Sequence, residues 1–164
     1  MSDREFDVVI FGASGYTGKL VAEYMHDQYG NDHSIKYAIA GRNIEKLLEI
    51  KKDLRLNEDI SILEVDSSNL DSLDKMTRSA RCILTTVGPY QLYGSKLVES
   101  SARNGTDYVD LTGEPGWMYE MINAHKETAQ KSGARIVFSC GFNPGFSSSF
   151  PSINRFNCFY SEAF

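Results

Sequence analysis

The 164-residue sequence predicts a doubly wound α/β fold, a parallel sheet of six strands with helices on both faces, and three observations carry that expectation. Short, nearly continuous apolar runs alternate with segments of helical period from the N-terminus to about residue 140. Runs of that kind, rich in β-branched residues, suit strands buried on both faces of a parallel sheet. A glycine-rich turn joins the first run to the first helical segment. The composition, 41% hydrophobic and 24% charged with a mean hydropathy of -0.33, is that of a globular domain, and the length allows one core plus a short appendage.

The elements follow in order. The first strand is expected at Phe6–Phe11, and the next helix repeats Leu20, Val21, Tyr24 and Met25 on one face. Ile35–Ala40 forms the second strand, followed by Ile44, Leu47, Leu48, Lys51 and Leu54 along one helical face. The third strand, Ile60–Val65, leads to a helix marked by Leu70, Leu73, Met76 and Ala80, with Ser68 and Asp71 as a weak capping box. Cys82–Val87 is the fourth strand; its helix runs from about Ser95 through Leu97, Val98 and Ala102 and stops at Asn104–Gly105. After the fifth strand, Asp107–Leu111, Pro115 opens a helix in its first turn, Trp117, Met118, Met121, Ile122 and His125 share its face, and Gly133 closes it. Arg135–Ser139 is the sixth strand. Six strands and five crossover helices make residues 1–142 one domain. Residues 143–164 read as an irregular tail with no second domain, holding five of the nine phenylalanines, five serines and only two charges, Arg155 and Glu162.

Seventeen basic residues against twenty-two acidic ones give a net charge of -5, and no basic block is present that would track a phosphate backbone, so nucleic acid is not an expected partner. Cys82, Cys140 and Cys158 are odd in number and widely spaced, which points to reduced, mostly buried thiols rather than disulfides or zinc. The acidic N-terminus lacks the pattern of a secretory signal, and no run approaches the roughly 20 apolar residues of a membrane span. A cytoplasmic location is expected.

The strongest chemical signal is Gly12-Ala13-Ser14-Gly15-Tyr16-Thr17-Gly18, set directly between a buried strand and an amphipathic helix. Glycines there permit a tight turn, close backbone approach to phosphate and tight helix packing, while the helix N-terminus offers free N–H groups. A dinucleotide pyrophosphate fits that description. The spacing is G-x-x-G-x-x-G, a variant frequent among NADP-using proteins. Gly18-Lys19 resembles the end of a nucleotide-triphosphate loop, but Ala13 and Leu20 stand where that pattern needs Gly and Ser or Thr.

Cofactor choice turns on the end of the second strand, where NAD-specific domains place an acid for the ribose hydroxyls. Here the chain reads Ala40-Gly41-Arg42-Asn43. Arg42 can pair with a 2′-phosphate and stack on adenine, so NADP is expected over NAD. Asp66 and Ser67 end the third strand on the adenine side; Thr86 and Gly88 end the fourth near the nicotinamide half. Asp110, Thr112 and Glu114 form a polar cluster read chiefly as helix capping. No metal set and no catalytic residue emerge: His26, His33 and His125 lie away from the strand ends, with His125 on an apolar face. Asn104-Gly105-Thr106 is read as a helix-ending turn, not a glycosylation site.

Several blocks together carry a family resemblance. Phe11 to Gly18, Ala40-Gly41-Arg42, Val87-Gly88-Pro89-Tyr90 with Tyr93-Gly94, Gly105 to Glu114, and Ser139-Cys140-Gly141-Phe142 resemble the NADP-binding domain of saccharopine dehydrogenase-like oxidoreductases. The branch includes the mycobacterial trans-acting enoyl reductases. The resemblance implies a Rossmann-like domain binding NADP, oxidoreductase chemistry on a small-molecule or lipid-related substrate, and an association with lipid droplets or membranes in some relatives. It ends after Phe142: Asn143 stands where an Asp is expected, and a truncated or altered C-terminus would leave a chain that binds cofactor with weak or absent turnover. The alternative reading is a non-catalytic dinucleotide-sensing or partner-binding module, with the aromatic tail as a site of association.

Overall fold

The computed structural model describes residues 4–30 and 34–141 together with a short strand at Cys158–Phe159. Chain order is β1 (Phe6–Phe11), α1 (Tyr16–Tyr29), β2 (Tyr37–Gly41), α2 (Ile44–Asp53), β3 (Ser61–Glu64), α3 (Leu70–Ser79), β4 (Ala80–Thr85), α4 (Tyr90–Tyr93), α5 (Ser95–Asn104), β5 (Asp107–Val109), α6 (Pro115–Ser132), β6 (Ile136–Val137) and β7 (Cys158–Phe159). The strands lie in the order β3-β2-β1-β4-β5-β6-β7, and the first six run parallel. Order 3-2-1-4-5-6 is that of the Rossmann fold, with the switch between β1 and β4. The expected six-stranded parallel sheet is therefore present.

Strand alternation sorts the buried residues into two cores. Ile10, Tyr37 and Ile39 meet Ala22 and Met25 of α1 and Leu47 of α2 on one face. On the other, Phe11, Ile83, Tyr108 and Ile136 pack with α3, α5 and α6 through Leu73, Leu97 and Trp117. The buried stripe of α1 is narrower than its apolar spacing implies. Gly18, Ala22 and Met25 are buried, whereas Leu20 and Tyr24 are 48% and 60% exposed. Small residues on that stripe bring the helix axis close to the sheet, which leaves the larger neighbours outside. In α2, Leu47 alone is buried and Leu48 faces solvent.

Several boundaries differ from the sequence expectation, each for a local reason. The N-cap of α3 is Asn69, whose side-chain oxygen accepts from Asp71 N and Ser72 N; Ser68 instead donates through its N and Oγ to Asp66 Oδ1. Ala80 is spaced like a helical residue but opens β4, because α3 runs into that strand with no loop between them. The single turn α4 was not anticipated. Within the segment expected to be irregular, Cys158–Phe159 pairs antiparallel with β6; its other residues, like His33 and Phe142, lie outside the described ones. Cys82 is half-buried and its thiol is pushed up to about 12, chiefly by burial, but Cys140 is exposed, contrary to the expectation of mostly buried thiols.

Arg4 ties the start of the chain to the far ends of two helices. Its guanidinium donates to the carbonyls of Thr77 and Asn104, both at 2.6 Å, to Ala80 O at 3.1 Å and to Thr106 Oγ1 at 3.0 Å. A cation there satisfies orphan carbonyls at the C-termini of α3 and α5 and complements both helix dipoles.

Candidate functional site

The site grows from the end of β1. Gly12 has φ +96, a left-handed conformation, and its N–H donates to Ala40 O at 2.8 Å while Gly15 N returns to Gly12 O at 2.9 Å. A side chain at Gly12 would be excluded by space as well as by torsion: its Cβ would lie 2.8 Å from Thr86 Oγ1 and from Val87 Cγ2. A Cβ at Gly18 would lie 2.1 Å from Gly12 O, so the first turn of α1 rests directly on the strand end. Gly15 is the N-cap of α1, no side chain caps that terminus, and its first turn holds no acidic residue. The uncapped N–H groups and the positive end of the helix dipole are therefore offered to an anion.

A cleft of about 260 Å³ opens across the carboxyl ends of the strands. From the turn it takes Gly12, Ser14 and Gly15; from beyond β2, Arg42; from beyond β3, Ser67; from beyond β4, Thr86 and Gly88. The sequence places these seven in four separate stretches, and the parallel sheet brings them to one wall. Thr86 Oγ1 donates to Phe11 O and Gly12 O at 3.4 and 3.3 Å, which ties the β4 end to the glycine turn. The Gly88–Pro89 peptide is cis.

Five other expected residues stand differently. Ala13 is wholly buried in the core beneath the turn, and Gly18 is buried under the first turn of α1. Tyr16 and Thr17 are exposed on that turn, Tyr16 at 86%. The Asp66 carboxylate turns to Ser68, whose N and Oγ donate to it at 2.8 Å; these bonds first, and the charges of Arg42 and Lys96 after them, hold it below the usual carboxylate range. Phe11, Gly41, Val65, Val87 and Tyr93 also line the cleft; none was among the expected site residues, although Val87 lies between Thr86 and Gly88, which were. Tyr90 and Tyr93, three apart after Pro89, were the available signal for a helical turn there.

The cluster after β5 is structural in the main. Asp110, 3% exposed, accepts from Tyr108 OH at 2.8 Å, Thr112 N at 3.1 Å and Ser139 N at 2.8 Å. Burial pushes its carboxyl above the usual range against the pull of those bonds. Glu114 occupies the N-cap position of α6, where its backbone carbonyl accepts from Met118 N but its side chain makes no cap bond; the two carboxylate oxygens accept instead from Tyr90 N and Gln91 N, each at 2.8 Å. Burial lowers the pKa of half-buried His125, which keeps its ring neutral near pH 7. Among the described residues no group of three or more His, Cys, Asp or Glu is arranged to hold a metal, and no helix is long and apolar enough to cross a membrane.

Comparison with known proteins gives a consistent result. A family model described as the saccharopine dehydrogenase NADP binding domain matches residues 8–137. A trans-acting enoyl reductase of Mycobacterium leprae is 42% identical over 141 residues, covering 85% of this chain and 33% of the relative. A lipid droplet localized protein of Caenorhabditis elegans is 35% identical over 145 residues, covering 84% of this chain and 33% of its own. The chain thus spans about a third of the length of the curated relatives it matches. Among solved structures, the apo saccharopine dehydrogenase (L-Glu forming) of Saccharomyces cerevisiae superposes with a TM-score of 0.67 at 18% identity, over 92% of this chain and 31% of that one, a likeness of fold.

Proposed function

The chain belongs to the saccharopine dehydrogenase NADP-binding domain family, and on that premise we propose that the cleft holds NADP across the carboxyl ends of β1 to β4. The glycine turn is what carries this reading. Its shape would be filled by a Cβ at Gly12 or Gly18, and it presents an uncapped helix N-terminus, which fits a pyrophosphate. Gly12 to Gly15 approach it through backbone, with Ser14 as a hydroxyl donor beside it; Ala13 and Gly18 shape the turn from below; Tyr16 and Thr17 flank it on the first turn of α1. Arg42 pairs with the 2′-phosphate by charge-assisted hydrogen bonds, unopposed by any acid at the end of β2. Asp66 and Ser67 border the adenine end. Thr86 and Gly88 border the nicotinamide end.

Bound NADPH supplies a hydride, and this domain's residues bind and orient it. For the protein that contains the domain, we propose reduction of a lipid-related substrate at the cytosolic surface of a droplet or membrane. The names of the two relatives support that choice.

The test is calorimetric titration of NADP and NAD into the wild type and Arg42→Ala. Loss of a forked, charge-assisted pair corresponds to about 10- to 100-fold weaker NADP binding. NAD affinity should stay within about twofold, as NAD lacks the 2′-phosphate. Equal loss for both cofactors, or no loss, refutes the assignment of Arg42, and a wild type that binds neither refutes the reading as a whole.

A further inference from the structure

α4 has only four residues, Tyr90–Tyr93, too few to be stable through its own hydrogen bonds. Yet it carries Tyr93 into the cleft wall, directly after Gly88. Its support comes from the start of α6. The Glu114 carboxylate takes both leading N–H groups, Tyr90 N and Gln91 N, one on each oxygen at 2.8 Å. Trp117 lies on Tyr90 with ring centroids 5.6 Å apart, and its Nε1 donates to Ser95 Oγ at 2.9 Å. A Cβ at Gly94 would sit 2.6 Å from Trp117 Cζ2, so the Trp117 ring packs directly on the backbone that follows α4. From the sheet, Thr85 O accepts from Tyr90 OH at 3.2 Å.

Short side chains such as Asp at an N-cap position bond to their own first turn, whereas the longer Glu114 side chain reaches beyond it. Glu114 leaves α6 uncapped and is spent on α4 instead. Tyr90, 5% exposed, is the buried anchor of the turn, and Tyr93 is its exposed face toward the cleft.

From this geometry we infer that Glu114 is a positioning residue for the nicotinamide half of the cofactor. It holds the Gly88–Tyr93 wall in register with the glycine turn, through two charge-assisted bonds to α4 and without touching the ligand. The inference rests on the reading that the cleft binds NADP. The adenine end of the cleft is built by Arg42 and Ser67, which Glu114 does not support, so the two halves respond separately to its loss.

The test uses the full chain as wild type, Glu114→Ala and Glu114→Gln, titrated with NADPH and with adenosine 2′,5′-bisphosphate, which carries only the adenine half. Glu114→Ala weakens NADPH about tenfold and leaves the bisphosphate within about twofold. Glu114→Gln, whose amide oxygen still accepts one of the two N–H groups, loses about threefold and so rescues part of the effect. A merely structural role would weaken both ligands together, and that parallel loss overturns the inference, as does unchanged NADPH affinity in both variants. If Glu114→Ala yields no folded protein, Glu114→Gln decides by the same comparison. A wild type that fails to bind NADPH overturns the cleft reading and this role with it; a wild type that binds, with variants that match it, overturns the positioning role alone.

Discussion

Replacing Gly18 with alanine adds one methyl group where the chain has no room for it. The new Cβ would stand 2.1 Å from Gly12 O, 2.7 Å from Gly12 C and 2.8 Å from Ala13 Cα. A comfortable carbon-to-oxygen contact is about 3.3 Å, so α1 and the turn must part by roughly 1 Å. Neither side yields easily. Gly12 is fixed by its bond to Ala40 O and backed by Thr86 and Val87, and Gly18 sits on the buried stripe of α1 with Ala22 and Met25. Overpacking against backbone belongs at the upper end of the usual range, about 3 kcal/mol. For a chain of this size that is a fall of roughly 6–12 °C in Tm, read by circular dichroism. Gly116→Ala is the matched control, since a Cβ there meets nothing within 4 Å inside α6. It should gain about 0.5–1 kcal/mol from backbone entropy alone. Two variants shifting in the same direction, or Gly18→Ala melting with the wild type, would show that the contact between turn and helix is not close enough to matter.

Two further outcomes are expected. Arg4→Leu removes the guanidinium donor from the carbonyls of Asn104 and Ala80 and leaves Thr77 O with Thr106 Oγ1, and should cost about 2–3 kcal/mol, measured by urea denaturation; an unchanged midpoint would mean that the clasp adds nothing to stability. Burial raises the folded-state pKa of Asp110 above the ordinary 3.8, so the folded state holds that proton more tightly than the unfolded chain. Its contribution is full below about pH 3.8 and is lost as pH rises through the raised value. Relative to wild type, Asp110→Asn should therefore gain stability between pH 4 and pH 7, and a difference independent of pH would contradict the sign.

What could be read from the sequence follows the range over which each signal acts. The glycine turn, the nearly continuous apolar runs of β1 and β2 and the face of α6 with Trp117, Met118 and Met121 are local patterns, and the structure has an element at each. Ala80 was misplaced because one residue satisfies two periods: it continues the spacing of Leu73 and Met76, yet it is the partner of Phe6 in the sheet. α4 escaped because its one signal, Tyr90 and Tyr93 three apart after Pro89, is a single interval and does not establish a period. At the cleft, the strand-end rule located Arg42, Ser67, Thr86 and Gly88, since a parallel sheet puts all its carboxyl ends together. It could not tell which way a short side chain turns. Asp66 is drawn to Ser68 by a bond two residues away, and Glu114 serves a helix 24 residues distant in sequence. Contacts of that second kind leave no local mark.

The junction of α3 and β4 acts as a length standard for the cleft. Ser79 ends the helix and Ala80 begins the strand, so no residue between them can absorb an addition. Because side chains alternate along a strand, one inserted residue would carry Ile83 from the α3, α5 and α6 core to the opposite face and slide Thr86 and Gly88 by about 3.3 Å past the glycine turn. The segment between α2 and β3 has slack to take up the same change without moving a strand. Variation in length among related chains is expected to collect there and to avoid this junction, because the distance between the two walls of the cleft is set here.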